Sequence, residues 1–245
     1  MSGHSKWATI KRKKGKADEI KGKVYTKLAK YIAIAAREGA DPNSNAKLKE
    51  AVARAKAQNM PNDNIERAIK KGSGELGGNN WETVTYEGYG IGGIAVIVET
   101  LTDNKNRTAG DVRHYFDKFG GNLGTNGCVS FMFDKKGVIV IDAEETDLSE
   151  EEIMDMAIEA GADDMQATEE TFEITTDPAM FLTVCDELQN KGLTFVSAEV
   201  AMVPQTYTKL EDPEAIVKFN KMLDMFDDND DVQNVWHNAD IDEEE

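Results

Sequence analysis

The chain has 245 residues, 40% of them hydrophobic and 30% charged; at roughly 100–200 residues per domain this predicts two or three small domains with real cores and excludes global disorder. No apolar run approaches the ~20 residues that span a bilayer; the stretch around Ile94–Val98 is strand-sized, and the basic N-terminus lacks the apolar core of a secretory signal. The net charge of −18 averages two unlike parts: residues 1–75 hold 18 of the 28 Lys/Arg and 8 of the 46 Asp/Glu, leaving 10 bases and 38 acids to the rest. Such asymmetry points to nucleic acid at the basic end, with a cytoplasmic location and no membrane contact. Phosphate repels the acidic remainder at short range, so that part must face away from nucleic acid or meet something basic.

Residues 3–16, GHSKWATIKRKKGK, show neither helical nor strand period and read as a flexible arm. Ile20, Val24, Leu28, Tyr31, Ile32 and Ala35 then recur at three- and four-residue steps, the mark of an amphipathic helix, with Gly39 as its stop. Asp41-Pro42 reads as a second helix start, Asp41 capping, with the stripe Leu48, Ala51, Val52, Ala55. Pro61 opens a third helix carrying Ile65, Ala68 and Ile69 and ending at Gly72, and Gly72–Asn80 is linker-like. Beyond Trp81 the period changes. Thr83–Glu87 and Ile94–Leu101 read as strands joined by the glycine loop Gly88–Gly93, Asn106–Phe119 as a helix, and Cys128–Phe133 as a strand. Residues 137–203 give a strand (Gly137–Ile141), a helix (Glu150–Ala160), two strands (Asp163–Ala167, Phe172–Thr175), a helix (Pro178–Asn190) and a strand (Leu193–Val203). That βαββαβ order is the ferredoxin-like split βαβ. Asp212–Phe226 (helix) and Asp231–Trp236 (strand) complete the interrupted earlier unit, and DIDEEE is an acidic tail.

The expected fold is therefore α+β in three domains: a basic arm and helical domain (1–79), a discontinuous α+β domain (80–133 plus 205–245), and a ferredoxin-like domain (134–204) inserted into it.

The densest chemistry is the basic cluster Lys6, Lys11, Arg12, Lys13, Lys14, Lys16, Lys21 and Lys23. Flexible basic arms bind polyphosphate by releasing condensed counterions, which needs charge density rather than fixed geometry, and Trp7 adds a ring able to stack on an exposed base. The bland alternative is a solvated charge run with Trp7 docked on the helices. A second polar set, Asn104, Lys105, Asn106, Arg107, Thr108 and Arg113, sits where a strand meets a helix start, whose free N–H groups suit phosphate; an ordinary cap is its bland counterpart. Gly88–Gly93 matches G-x-G-x-x-G, yet β-branched Ile94–Glu99 follows where a dinucleotide site needs a helix, so it reads as a hairpin turn. Gly120–Gly124 lacks the Gly-Lys-Ser/Thr of a P-loop. His4, His114 and His237 form no metal or nucleophile pattern, and Cys128 and Cys185 lie far apart among apolar neighbours, so no metal, cofactor or catalytic residue is expected.

The stretches GHSKWATIKRKKGKAD, AKAQNMPNDNIERAIKKGSG, YEGYGIGGIAVIVETLTDNKNRTAGDVRHYFDKFGGNLG and VSFMF closely resemble the YebC-type family, loosest over 137–203 and the tail. This chain has Ile91 where the family's loop usually has Pro. The resemblance implies three domains around a cleft, no catalysis, and binding to DNA or to the translating ribosome; members are described as probable transcriptional regulatory proteins, and mitochondrial relatives as translational activators.

The expectation is a non-enzymatic regulator of gene expression. Ribosomal RNA on a ribosome is favoured as its target, with basic ribosomal proteins as partners for the acidic domains; promoter DNA is the alternative. An enzyme acting on a nucleotide is opposed by the strand after the glycine loop, and a pure protein adaptor by the basic arm.

Overall fold

The computed structural model describes residues 17–75 and 81–241; side chains of 17–23 and 57 are outside that description. The chain is α+β, with three helices followed by two four-stranded antiparallel sheets.

The helical bundle consists of α1 (Ala17–Ala35), α2 (Ala46–Ala57) and α3 (Asn62–Gly72). The predicted stripes do the packing: Leu28, Ile32 and Ala35 from α1, Leu48 and Ala55 from α2, Ile65 and Ala68 from α3 form one small buried cluster. Alanines make that core thin, so the helices approach closely. At the end of α3 a side chain on Gly72 would overlap the Ala33 carbonyl of α1, which is why the helix reaches its stop on glycine. The start of α2 differs from expectation. Asp41 does not cap it; its carboxylate accepts the Asn43 N–H in a turn at 2.9 Å. The cap is Asn45, whose Oδ1 accepts the Leu48 N–H at 3.1 Å while its Nδ2 donates to the carbonyls of Ala35 and Gly39 at 2.6 and 2.8 Å. One buried amide thus caps α2 and also closes the end of α1, a double role Asp41 lacks the donors to play.

The first sheet has the order β3-β1-β2-β9, from β1 (Glu82–Tyr89), β2 (Ala95–Thr102), β3 (Asn122–Leu123) and β9 (Val232–His237). Gly88–Gly93 is a hairpin turn between β1 and β2, with Gly92 and Gly93 at φ 73° and 77°, a backbone that favours glycine. β2 is buried on both faces, which explains its unbroken apolar run. Ile94, Val96 and Val98 pack on Val112 and Phe116 of α4 (Lys105–Lys118) and on Phe219, Met222 and Phe226 of α7 (Pro213–Asp228). Ala95 and Ile97 face the other way, onto Val129, Phe133 and Trp236.

Cys128–Phe133 is not a strand of this sheet. Two of its backbone N–H groups, with that of the preceding Gly127, turn to one buried carboxylate instead: Glu87 accepts from Gly127, Val129 and Ser130 at 2.8, 3.0 and 2.8 Å. Burial alone would raise this carboxyl; the three N–H donors outweigh it and hold it below the usual range. Phe133 instead opens β4 (Phe133–Asp142), one continuous strand of the second sheet.

That sheet has the order β5-β6-β4-β7, with β5 (Asp164–Ala167), β6 (Thr171–Thr176) and β7 (Ser197–Pro204), all pairs antiparallel. With α5 (Glu150–Ala160) and α6 (Phe181–Asn190) it makes the split βαβ expected. Ser149 and Glu152 form a capping box at α5. Ile139, Ile141 and Ile174 pack under the two helices on Ile153, Val184 and Leu188, while Val138, Val140 and Ala201 face Trp236. Trp236 therefore touches both sheets. Cys185 is buried in α6, where burial and nearby acids push its thiol up to about 12, and both cysteines are free. A short parallel pair, β8 (Thr208–Lys209) with β10 (Ala239–Asp240), was not foreseen.

We propose the domain boundaries at 79/80, 133/134 and 204/205. Because the second sheet closes its own core, residues 134–204, extended by Phe133 to complete β4, are expected to fold alone. Slow amide exchange in β4 and β6 of that fragment is the expected result; a random-coil circular dichroism spectrum is the contrary one.

Candidate nucleic-acid interface

The polar set at the start of α4 is brought together as its spacing suggests, and its charges are already engaged. Asn104 caps the helix, its Oδ1 accepting the Arg107 N–H at 3.1 Å. Lys105 pairs with Glu82 at 2.5 Å. The Arg107 guanidinium lies 3.0 Å from Asp103 and 2.6 Å from Asp231. Thr108 is buried, with its hydroxyl 3.0 Å from the same Asp231 carboxylate. Asn106 and Arg113 are exposed on α4. A phosphate arriving here would meet Asp103 along with Arg107. Lys6, Trp7, Lys11, Arg12, Lys13, Lys14 and Lys16 lie outside the described residues, as do the side chains of Lys21 and Lys23.

Asp231, just before β9, is the hub. Lys30 of α1 reaches it at 2.9 Å and also donates to the Asp230 carbonyl at 2.7 Å. Burial would raise the Asp231 carboxyl, but hydrogen bonds from Arg107 and Lys30 prevail and hold it down at about 2. Further polar links join the helical bundle to both sheets. Asn234 of β9 donates to the Tyr31 hydroxyl and to Glu99 of β2, each at 2.7 Å. Arg54 of α2 meets Glu199 of β7 at 3.0 Å. Lys27 donates to the Asp227 carbonyl, and Arg37 to that of Trp81. Two acids of the acidic part, Asp231 and Glu199, thus find basic partners on the helical bundle.

Between the bundle and the first sheet runs a cleft of about 690 Å³. Its helical wall presents Lys30, Arg67 and Lys71 and no acid; the facing wall presents Asp103, Asp111, Asp230 and Asp231 around Arg107. Trp81 lines it too, with the Lys71 and Lys30 ammonium groups 4.8 and 5.8 Å from its ring centroid. Sequence reasoning missed Arg67, Lys71 and Trp81. The one available signal was the i, i+4 spacing of Arg67 and Lys71 on a helix whose apolar stripe lies elsewhere. Among the described residues no three His, Cys, Asp or Glu side chains cluster to hold a metal, and no helix is long and apolar enough to cross a membrane.

Asp231→Asn removes the anion while Lys30, only 11% exposed, stays in place. The expected cost is about 3 kcal/mol in urea unfolding at neutral pH, the scale of a buried ion pair broken on one side. Because the folded-state value is depressed, the wild-type advantage is full above the unfolded carboxyl value of roughly 4. It shrinks as pH falls from there towards about 2. A difference unchanged between pH 6 and pH 2.5 contradicts this account.

Comparison with known proteins accords with this architecture. The family model described as "TACO1/YebC protein N-terminal domain" matches residues 5–75, and "TACO1/YebC second and third domain" matches residues 81–239. A protein of Ruminiclostridium cellulolyticum called a probable transcriptional regulatory protein is 58% identical over all of this chain and 98% of its own length. One of the same description from Acetivibrio thermocellus is 57% identical over 97% of this chain and 98% of its own. The crystal structure of a conserved hypothetical protein from Aquifex aeolicus, 45% identical, superposes with a TM-score of 0.84 over 93% of each chain. With both family models covering nearly all of its length and relatives this similar end to end, the chain belongs to the TACO1/YebC family.

Proposed function

We propose that this protein is a non-enzymatic, cytoplasmic regulator of gene expression that binds nucleic acid through its basic N-terminal arm, and that its target is ribosomal RNA on a ribosome. The observation that carries this reading is the charge split: 18 of 28 bases within residues 1–75 and 38 of 46 acids beyond them. A DNA duplex offers only anionic surface, so the acidic sheets beside it are a liability, screened over ~8 Å at physiological salt. A ribosome offers RNA phosphate next to basic proteins, and both ends of the chain have a complement there.

Duplex DNA is the second reading, favoured by the relatives described as probable transcriptional regulatory proteins. The helices give it limited support. α2 and α3 are separated by the four residues 58–61, the spacing of a helix-turn-helix. A reading helix, however, contacts base edges from its N-terminal residues, and α3 begins Asn62-Asp63-Asn64-Ile65-Glu66. Two of its three bases, Arg67 and Lys71, line the cleft, and only Lys70 stands outside it.

Sedimentation of cell extract through a sucrose gradient, with and without RNase, tests the choice. Co-migration with ribosomes that RNase abolishes is expected; selective binding to one promoter over scrambled duplex, with no ribosome association, favours the second reading. Replacing Lys11, Arg12, Lys13 and Lys14 together by Ala should flatten the log–log salt dependence of RNA binding by roughly three units, at ~0.7–0.9 per lost phosphate contact. An unchanged slope removes the arm from the interface.

A further inference from the structure

The cleft between the helical bundle and the first sheet has chemistry that a basic arm alone does not require. At about 690 Å³ it falls in the roughly 300–1,000 Å³ range of small-ligand sites. Part of its charge is spent internally: Asp231 holds Lys30 and Arg107, and Arg107 also holds Asp103. What remains is polarised. On the helical wall stand Arg67, exposed and without an ion-pair partner among the described residues, and Lys71, one turn further along α3 beside the Trp81 ring. Opposite stand the carboxylates of Asp111 and Asp230, neither in an ion pair among the described residues.

A ligand for this cleft presents an anion to one wall, hydrogen-bond donors to the other, and a flat ring beside Trp81. An unpaired ribonucleotide has all three. Its phosphate suits Arg67 and Lys71, and its base has a π face for an aromatic ring. Its base N–H donors (the exocyclic amino group of A, C or G, the ring N3–H of U) and its 2′-hydroxyl suit carboxylates, and the hydroxyl is absent from DNA. A base within a duplex is stacked and paired, and cannot enter.

We propose that the cleft is a subsite for one unpaired nucleotide of single-stranded RNA, with its phosphate on Arg67 and Lys71, its base beside Trp81, and its donors on Asp111 and Asp230. This rests on the RNA reading above and refines it. The arm contributes charge without discrimination, and the cleft selects unpaired RNA over duplex and over DNA.

The test uses the full chain and a single-stranded RNA octamer containing one 4-thiouridine. Photo-crosslinking followed by peptide mass spectrometry should place the adduct in peptides carrying Trp81 or Tyr25, which lines the helical wall of the cleft. Arg67→Ala should weaken octamer binding by roughly three- to tenfold, with Arg67→Lys restoring part of the loss and the thermal midpoint unchanged. The same variant should leave binding of a blunt RNA duplex as it was, and a deoxy-octamer should bind wild-type protein less tightly. Adducts confined to residues 3–16, with Arg67→Ala silent, overturn the subsite while leaving RNA binding by the arm intact. Equal losses for octamer and duplex make Arg67 a general phosphate contact and also overturn it. A deoxy-octamer bound as tightly defeats the selection for RNA. If no RNA binds at all, the subsite and the RNA reading fall together.

Discussion

One buried carboxylate holds the parts of this molecule in their relative places. Asp231 receives Lys30 from α1 and Arg107 from the start of α4, and the hydroxyls of Thr102 and Thr108 lie 3.2 and 3.0 Å from it. Its own carbonyl accepts the Leu101 N–H at 2.7 Å, joining β2 to the approach of β9. A carboxylate this buried is costly unless its lone pairs are filled, and here donors from separate segments fill them. The direction of the cleft wall, the position of Arg107 and the seat of the helical bundle all follow from that arrangement.

The bundle's docking is largely polar. Its own apolar side chains are spent on the internal cluster around Ile32 and Leu48. What it offers the sheets is Lys27, Lys30, Tyr31, Arg37 and Arg54, and what it meets is carbonyls and carboxylates. Contacts of this kind discriminate orientation well while contributing less net stability than an apolar interface of equal area. They also place two of the bundle's bases, Lys30 and Arg54, on carboxylates of the acidic part, Asp231 and Glu199.

Periodicity made most of the elements legible. The α5 stripe Ile153, Ala157 and Ala160, and the alternation of Val138–Ile141 between two cores, are local patterns that burial enforces. The hairpin at Gly88–Gly93 was legible because β-branched residues follow the glycines. Errors arose where the deciding partner was distant. Cys128–Phe133 has strand-like composition, but Glu87 on β1 captures two of its N–H groups. Asp41-Pro42 looks like a helix start, but Asn45 has the donors to join two helices. Arg107 looks available for phosphate until Asp231, far along the chain, is brought beside it. The resemblance implied a cleft but not its lining, since residues near 30, 70, 105 and 230 form it and no window of sequence contains them.

The strand order β3-β1-β2-β9 has a consequence for synthesis on the ribosome. Val98 pairs with Val235, and between them lies the whole second sheet. Until β9 emerges, β2 has an open edge of unpaired backbone groups on the most apolar strand of the chain, a template for wrong pairing. At about 5–20 residues per second that interval lasts roughly 7–27 s. α7, which covers one face of β2, also arrives late. The second sheet, complete by Pro204, can close before its host does. The nascent chain therefore carries a finished domain in the middle of an unfinished one, and its exposure to chaperones and to misassembly is set by how quickly the last forty or so residues are made.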